Sequence, residues 1–218
     1  MRRRARLEDP GAELLGHFGS IWERYGRVTL MVLGGLVAVG MVLFLMWRGR
    51  AAAEDQAAGR LGEASILYWQ GDYARSLELA KQVGQQFPNA PSGLDAHRLA
   101  ADAAYWQGDF KTAVAEYRTY LAHAKRGILA DAARRSMAYA LESAGQYQEA
   151  GSLYDQLVGT FDRESSAEFL AAAARCERAA GRRAEAAKHL QRLVDEFGET
   201  SFADLARVQL AELSSATH

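Results

Sequence analysis

The sequence predicts an all-α protein, with one transmembrane helix followed by a solenoid of helical hairpins. Three observations carry that expectation. The pentapeptide Tyr-Trp-Gln-Gly-Asp occurs at Tyr68–Asp72 and returns 37 residues later at Tyr105–Asp109. Weaker copies keep the beat at Gly145-Gln146-Tyr147-Gln148-Glu149-Ala150 and Gly181-Arg182-Arg183-Ala184-Glu185-Ala186, so that the glycines step by 37, 37 and 36 residues. A fixed period in this range marks stacked supersecondary units, and arrays of such units present extended binding surfaces. Secondly, Val28 to Trp47 runs for 20 residues without a charge. At about 1.5 Å per residue this is roughly 30 Å, the thickness of a bilayer's hydrocarbon layer. Thirdly, alanine and leucine dominate the remainder, and no segment alternates with the period of a strand.

Residues 1–27 read as a basic cytoplasmic tail. Asp9-Pro10 offers an N-cap with proline at the first helical position. Leu14, Leu15, Phe18, Ile21, Trp22 and Tyr25 fall on one face of a short amphipathic helix at the membrane surface. Residues 28–47 form the span. Its apolar run is longer than a signal peptide's usual 7–15 residues, so it reads as an uncleaved anchor. Trp22, Tyr25 and Trp47 sit where an interfacial aromatic belt belongs. Gly34-x-x-x-Ala38 is a small-residue pair of the kind that lets spans approach each other. Six arginines precede the span, and Arg48, Arg50 and Arg60 follow it. The positive-inside rule therefore puts the N-terminus in the cytoplasm and the C-terminal domain outside.

Residues 48–218 read as the exported repeat domain, four repeats and a C-terminal capping helix. Nothing breaks the helix over Ala51–Ala58, so the span is expected to run on into the first repeat. The expected helices are 53–69, 73–87, 92–107, 110–124, 128–144, 147–160, 166–180, 183–196 and 202–213. Ser165-x-x-Glu168 reads as a capping box, and Ser92-x-x-Asp95 and Ser201-x-x-Asp204 resemble one. In each repeat the glycine closes the first helix in a left-handed conformation, and Asp72 or Asp109 then caps the second. Tyr73, Phe110 or Tyr147 packs back across the hairpin. Ala113, Ala150 and Ala186 allow close approach, and Phe87, Phe161 and Phe197 end the second helices.

Charge and motifs narrow the function. Residues 1–50 carry eight arginines against four acids, whereas the remainder holds 18 basic and 23 acidic residues. An acidic domain is a poor nucleic-acid binder, and the basic tail suits anionic lipid. The single cysteine, Cys176, reads as a small buried hydrophobe. No phosphate loop, zinc motif or nucleophile elbow occurs. No catalytic, cofactor or metal site is therefore expected.

These residues resemble the tetratricopeptide repeat family over roughly 57–197. Ala64, Leu67, Gly71, Asp72, Tyr73 and Pro88 carry the first copy. Ala101, Gly108, Asp109, Phe110, Ala113 and Tyr117 carry the second, and Ala138, Leu141, Gly145, Tyr147, Ala150 and Tyr154 the third. The family's early tryptophan is replaced by His97, Arg134 and Leu170, and Arg183 stands where the fourth copy would have an aromatic.

The resemblance implies a concave groove lined by Tyr68, Trp69, Arg98, Asp102, Tyr105, Trp106, Arg135, Tyr139, Glu142, Arg175 and Arg178. Aromatics interleaved with charge suit an extended peptide, although Trp69 and Trp106 serve equally well as hairpin core. The layout, with Trp22-Glu23-Arg24-Tyr25-Gly26-Arg27 before the span, is similar to the ancillary subunit of the bacterial Sec translocon. That resemblance implies an inner-membrane adaptor whose periplasmic domain meets translocon subunits, chaperones or exported chains. The alternative is a scaffold for envelope or cell-wall assembly. The oligomeric state stays open.

Overall fold

The computed structural model describes the backbone of residues 10–215 and the side chains of residues 26–215. The Asp9 cap and the face from Leu14 to Tyr25 thus fall outside the described side chains. Among the described residues there are nine α-helices and no strand. They are α1 (Pro10–Trp69), α2 (Tyr73–Gln86), α3 (Pro91–Gln107), α4 (Phe110–His123), α5 (Ile128–Ser143), α6 (Tyr147–Leu157), α7 (Arg163–Ala179), α8 (Arg183–Glu196) and α9 (Ser201–Ser215).

The chain divides into two units, Met1–Ala52 and Ala53–His218. In the first, α1 carries a helix long and apolar enough to cross a membrane, within Gly26–Trp69, with a mean hydropathy of 2.6. Its large apolar side chains, from Val28 through Leu36 and Phe44 to Trp47, are all more than half exposed. A continuous apolar surface of this length is unstable in water and calls for an apolar surrounding.

In the second unit, residues 53–69 of α1 form the first helix of the first hairpin. Ala57 and Ala64 are fully buried there, and Ser76 Oγ of α2 donates to the Ala64 carbonyl at 2.9 Å. Each later helix packs on its sequence neighbours, α3 also meets α5, and α9 meets both α8 and α7. This nearest-neighbour pattern is that of a solenoid.

The repeated glycines explain the hairpins. Gly71, Gly108, Gly145 and Gly181 have φ between +74° and +84°, a region that costs glycine little and other residues much. After each, one backbone N–H reaches back five residues, as in Asp72 to Leu67 and Asp109 to Ala104, both at 2.9 Å. The third and fourth turns repeat the bond at 2.8 Å, from Gln146 to Leu141 and from Arg182 to Glu177. This bond satisfies a carbonyl that the helix end would leave bare. The Asp72 and Asp109 carboxylates accept from the N–H groups of Arg75 and Thr112, as helix caps.

Alanine sets the helix spacing. Ala113, Ala150 and Ala186 are fully buried at the seams. The apolar interior falls into groups along the array. Val83 and Leu99 mark the N-terminal ones, Tyr117, Leu141, Tyr154 and Phe169 the central one, and Leu170, Leu190, Leu193 and Phe197 the C-terminal one.

Several local expectations are corrected. The helix α7 starts three residues earlier than its capping-box reading, at Arg163. Asp162 is the cap and accepts from the Ser165 N–H at 2.7 Å. The helix α3 starts at Pro91, and Ser92 caps nothing. Its N–H and hydroxyl both donate to Glu54, at 3.1 and 2.6 Å. Gly159, at φ +83°, ends α6 early. Phe161 consequently lies in the connection to α7. Tyr147 is exposed, whereas Tyr73 and Phe110 are half-buried and meet Tyr68 and Tyr105 with ring centroids 5.5 Å apart.

Candidate protein-binding site

The repeated Tyr-Trp pair ends the first helix of its hairpin, so each copy projects two adjacent rings beside the turn. Tyr68 and Trp69 meet edge to face at 5.4 Å, and Tyr105 and Trp106 do so at 5.8 Å. Tyr73 bridges the two copies by stacking on Trp106 at 6.3 Å. Trp69 is 83% exposed and Trp106 59%, so neither is hairpin core.

Tyr68, Asp102, Tyr105, Trp106 and Tyr139 line one cavity of about 240 Å³. Tyr117 and Ser136 complete its lining, and sequence reasoning missed both as site residues. They were hidden because the wall joins α4 of one hairpin to α5 of the next, and no motif within one copy encodes that meeting. The period itself was the available signal, since it makes α5 the neighbour of α3.

The electrostatics of the wall follow from burial. Burial is the largest influence on Asp102 and raises its pKa, against the Tyr117 hydroxyl and Arg98, which lower it. Tyr117 donates to Asp102 Oδ1 at 2.5 Å, and Arg98 Nη1 approaches Oδ2 at 3.3 Å. Tyr139 donates to Glu168 at 3.1 Å, and burial followed by that carboxylate pushes its hydroxyl up to about 12.

The other expected groove residues are dispersed. Arg98 does not line the cavity, and its Nε is a buried nitrogen without a hydrogen-bond partner among the described residues. Arg135 lies over the Phe161 ring at 5.2 Å. Neither arginine is a free surface charge, so reversing their signs would perturb the fold together with the surface. Glu142 receives two bonds from Arg175, at 2.6 and 2.9 Å, and one from Tyr154 at 2.8 Å. Burial raises the Glu142 pKa, but these donors outweigh it and leave it lowered. Arg175 and Arg178 line a different cavity of about 610 Å³ near α9, with Leu190, Phe202 and Leu205.

The remaining chemistry is structural. Cys176 is fully buried, and burial pushes its thiol up to about 12. Buried Glu177 holds Arg182 through two bonds at 2.5 and 2.6 Å, which braces the fourth hairpin where the aromatic is missing. No cluster of metal-ligating side chains occurs among the described residues.

Comparison with known proteins places this geometry in a class. A sequence profile of the tetratricopeptide repeat matches residues 172–200. This is the fourth copy, the weakest by its motif residues. Among solved structures, a Podosopora anserina protein with nearly identical TPR-like repeats is similar. It is 24% identical, covers 75% of this chain and 88% of its own, and superposes with a TM-score of 0.57. A point variant of it gives 23%, 75%, 87% and 0.56. At these identities the likeness is one of fold. No curated protein matches the chain. The chain is a tetratricopeptide-repeat-like helical solenoid with one helix apolar enough to serve as a membrane anchor.

Proposed function

We propose that this chain is a membrane-anchored scaffold that binds other proteins through the first-helix face of its repeats. The observation that carries the reading is the pairing of one exposed apolar helical segment, Val28 to Trp47, with an array whose repeated Tyr-Trp motif leaves its tryptophans in solvent. Large aromatics are costly to leave wet and dominate binding hot spots. Repeat folds of this kind typically work as interaction modules, so the reading assigns no catalysis.

The finer reading is an inner-membrane adaptor at or near the Sec translocon. Its repeat domain would lie in the periplasm and contact chaperones or exported chains. Support comes from the order of basic tail, span and repeat domain, and from the arginine excess before the span. A photo-crosslinking amino acid at Trp69, in intact cells, tests both levels. Capture of translocon subunits or exported chains is expected, with little capture from Lys188 of α8. Recovery of cell-wall synthases would replace the finer reading. Equal capture from both positions would sink the coarser one. A reporter active only outside the cytoplasm, fused after His218, is expected to be active. A silent fusion in a stably expressed chain would reverse the topology.

A further inference from the structure

We infer that the cavity between α1, α3 and α5 is a receptor for one cationic side chain, a lysine of a bound protein segment. The inference rests on the first-helix binding face proposed above and adds the chemistry of what that face selects.

Size comes first. Pockets for small-molecule ligands run from about 300 to 1,000 Å³, and this one holds about 240 Å³. It suits a single side chain. Its walls are the rings of Tyr68, Tyr105, Trp106 and Tyr139. Ring faces carry negative potential and attract cations, tryptophan most strongly.

Hydrogen bonding points the same way. The hydroxyl hydrogens of Tyr117 and Tyr139 are committed to Asp102 and Glu168. Two of the lining's donors are thus engaged within the protein, while Tyr68, Tyr105 and Ser136 also bring hydroxyls to the wall, each able to donate or accept. Asp102 is the one carboxylate in the lining, and each of its oxygens has a single partner, Tyr117 or Arg98. A carboxylate has about four lone-pair sites, so acceptor capacity remains. That capacity suits a ligand that brings donors, and an ammonium brings three and no acceptor. Arg98 sits outside the lining and offsets part of the Asp102 charge, while Glu168 behind Tyr139 adds another negative charge. An anionic side chain would instead meet the like charges of Asp102 and of Glu168 behind it.

The test uses the full chain in detergent micelles and three capped heptapeptides. Their central residue is lysine, norleucine or glutamate, flanked by alanine and glycine. The Trp106 indole N–H resonance is followed on titration. The lysine peptide is expected to shift it saturably, and the other two to leave it in place. Trp106→Leu and Asp102→Asn should each weaken the lysine peptide about tenfold, the scale of one desolvated cation–ring contact, read from the peptide's own resonances. Trp106 is largely exposed, so Trp106→Leu should keep the parent melting temperature and remains decisive if Asp102→Asn unfolds. Equal binding of norleucine, preference for glutamate, or no saturable shift overturns the inference. Crosslinking from Trp69 reports separately on the binding face. Continued capture there with no lysine preference would leave the face standing and remove only the cation pocket.

Discussion

Asp109 shows how much a single side chain contributes. Its carboxylate accepts from the side chain and then the backbone N–H of Thr112, and both hold its pKa below the usual 3.8. A depressed carboxylate contributes stability that is present above its unfolded pKa and is lost as pH falls through the folded one. Asp109→Ala is therefore expected to cost about 1 kcal/mol at neutral pH, the typical worth of an N-cap. The gap to the parent should close as pH drops below the usual aspartate range. Denaturant titrations at two pH values would check this, and a gap that is constant with pH would contradict it. Asp102 has the opposite sign. Burial raises its pKa, so its ionised form costs stability at neutral pH and that cost fades on acidification. The caps were legible because an aspartate after a helix-closing glycine has one local job. The partners Tyr117–Asp102 and Tyr139–Glu168 were not, since they join residues 15 and 29 positions apart whose meeting depends on helix packing.

At the scale of the element, the repeat glycines drew attention in the sequence, yet another glycine is under tighter constraint. A Cβ on Gly108 would meet nothing within 4 Å, and its cost would come from the backbone alone, at φ +84°. A Cβ on Gly93 would stand 1.9 Å from the Phe87 carbonyl oxygen. Gly108→Ala is expected to cost roughly 1 kcal/mol. Gly93→Ala is expected to cost more, in the range of about 1–3 kcal/mol or above, because a backbone atom must move. Thermal unfolding of both variants decides the order, and a Gly93→Ala chain as stable as Gly108→Ala would refute the close approach. The helix bounds were readable to within a few residues because turns and apolar spacing are local. The early start of α7 was missed because Asp162 and Ser165 both suit a cap, and only the placement of Phe161 and Gly159 selects between them. Glu54, which takes the Ser92 N–H from 38 residues away, had no signature in either segment.

Across the whole repeat unit, the interior is a row of neighbouring groups and no single core. Stability in such an array is close to a sum of hairpin and interface terms, and opening is cheapest at the ends, where one neighbour is missing. The helix α9 buries only Ala203 and Ala206 fully. Its first residue, Ser201, bonds to Glu164 at 2.6 Å, and the turn before it is held by the exposed Arg163–Glu199 pair. Amides of α9 are expected to exchange with solvent well before those of α5 to α7, which hydrogen exchange followed by mass spectrometry would resolve. Uniform protection would contradict the divided interior. The same division governs the response to mechanical load. A tug between the two ends of the repeat unit meets resistance one interface at a time. Each hairpin that yields pays out about 37 residues, roughly 120–130 Å of slack. The array therefore lengthens in instalments, and the hairpins still closed keep their surfaces while their neighbours absorb the strain.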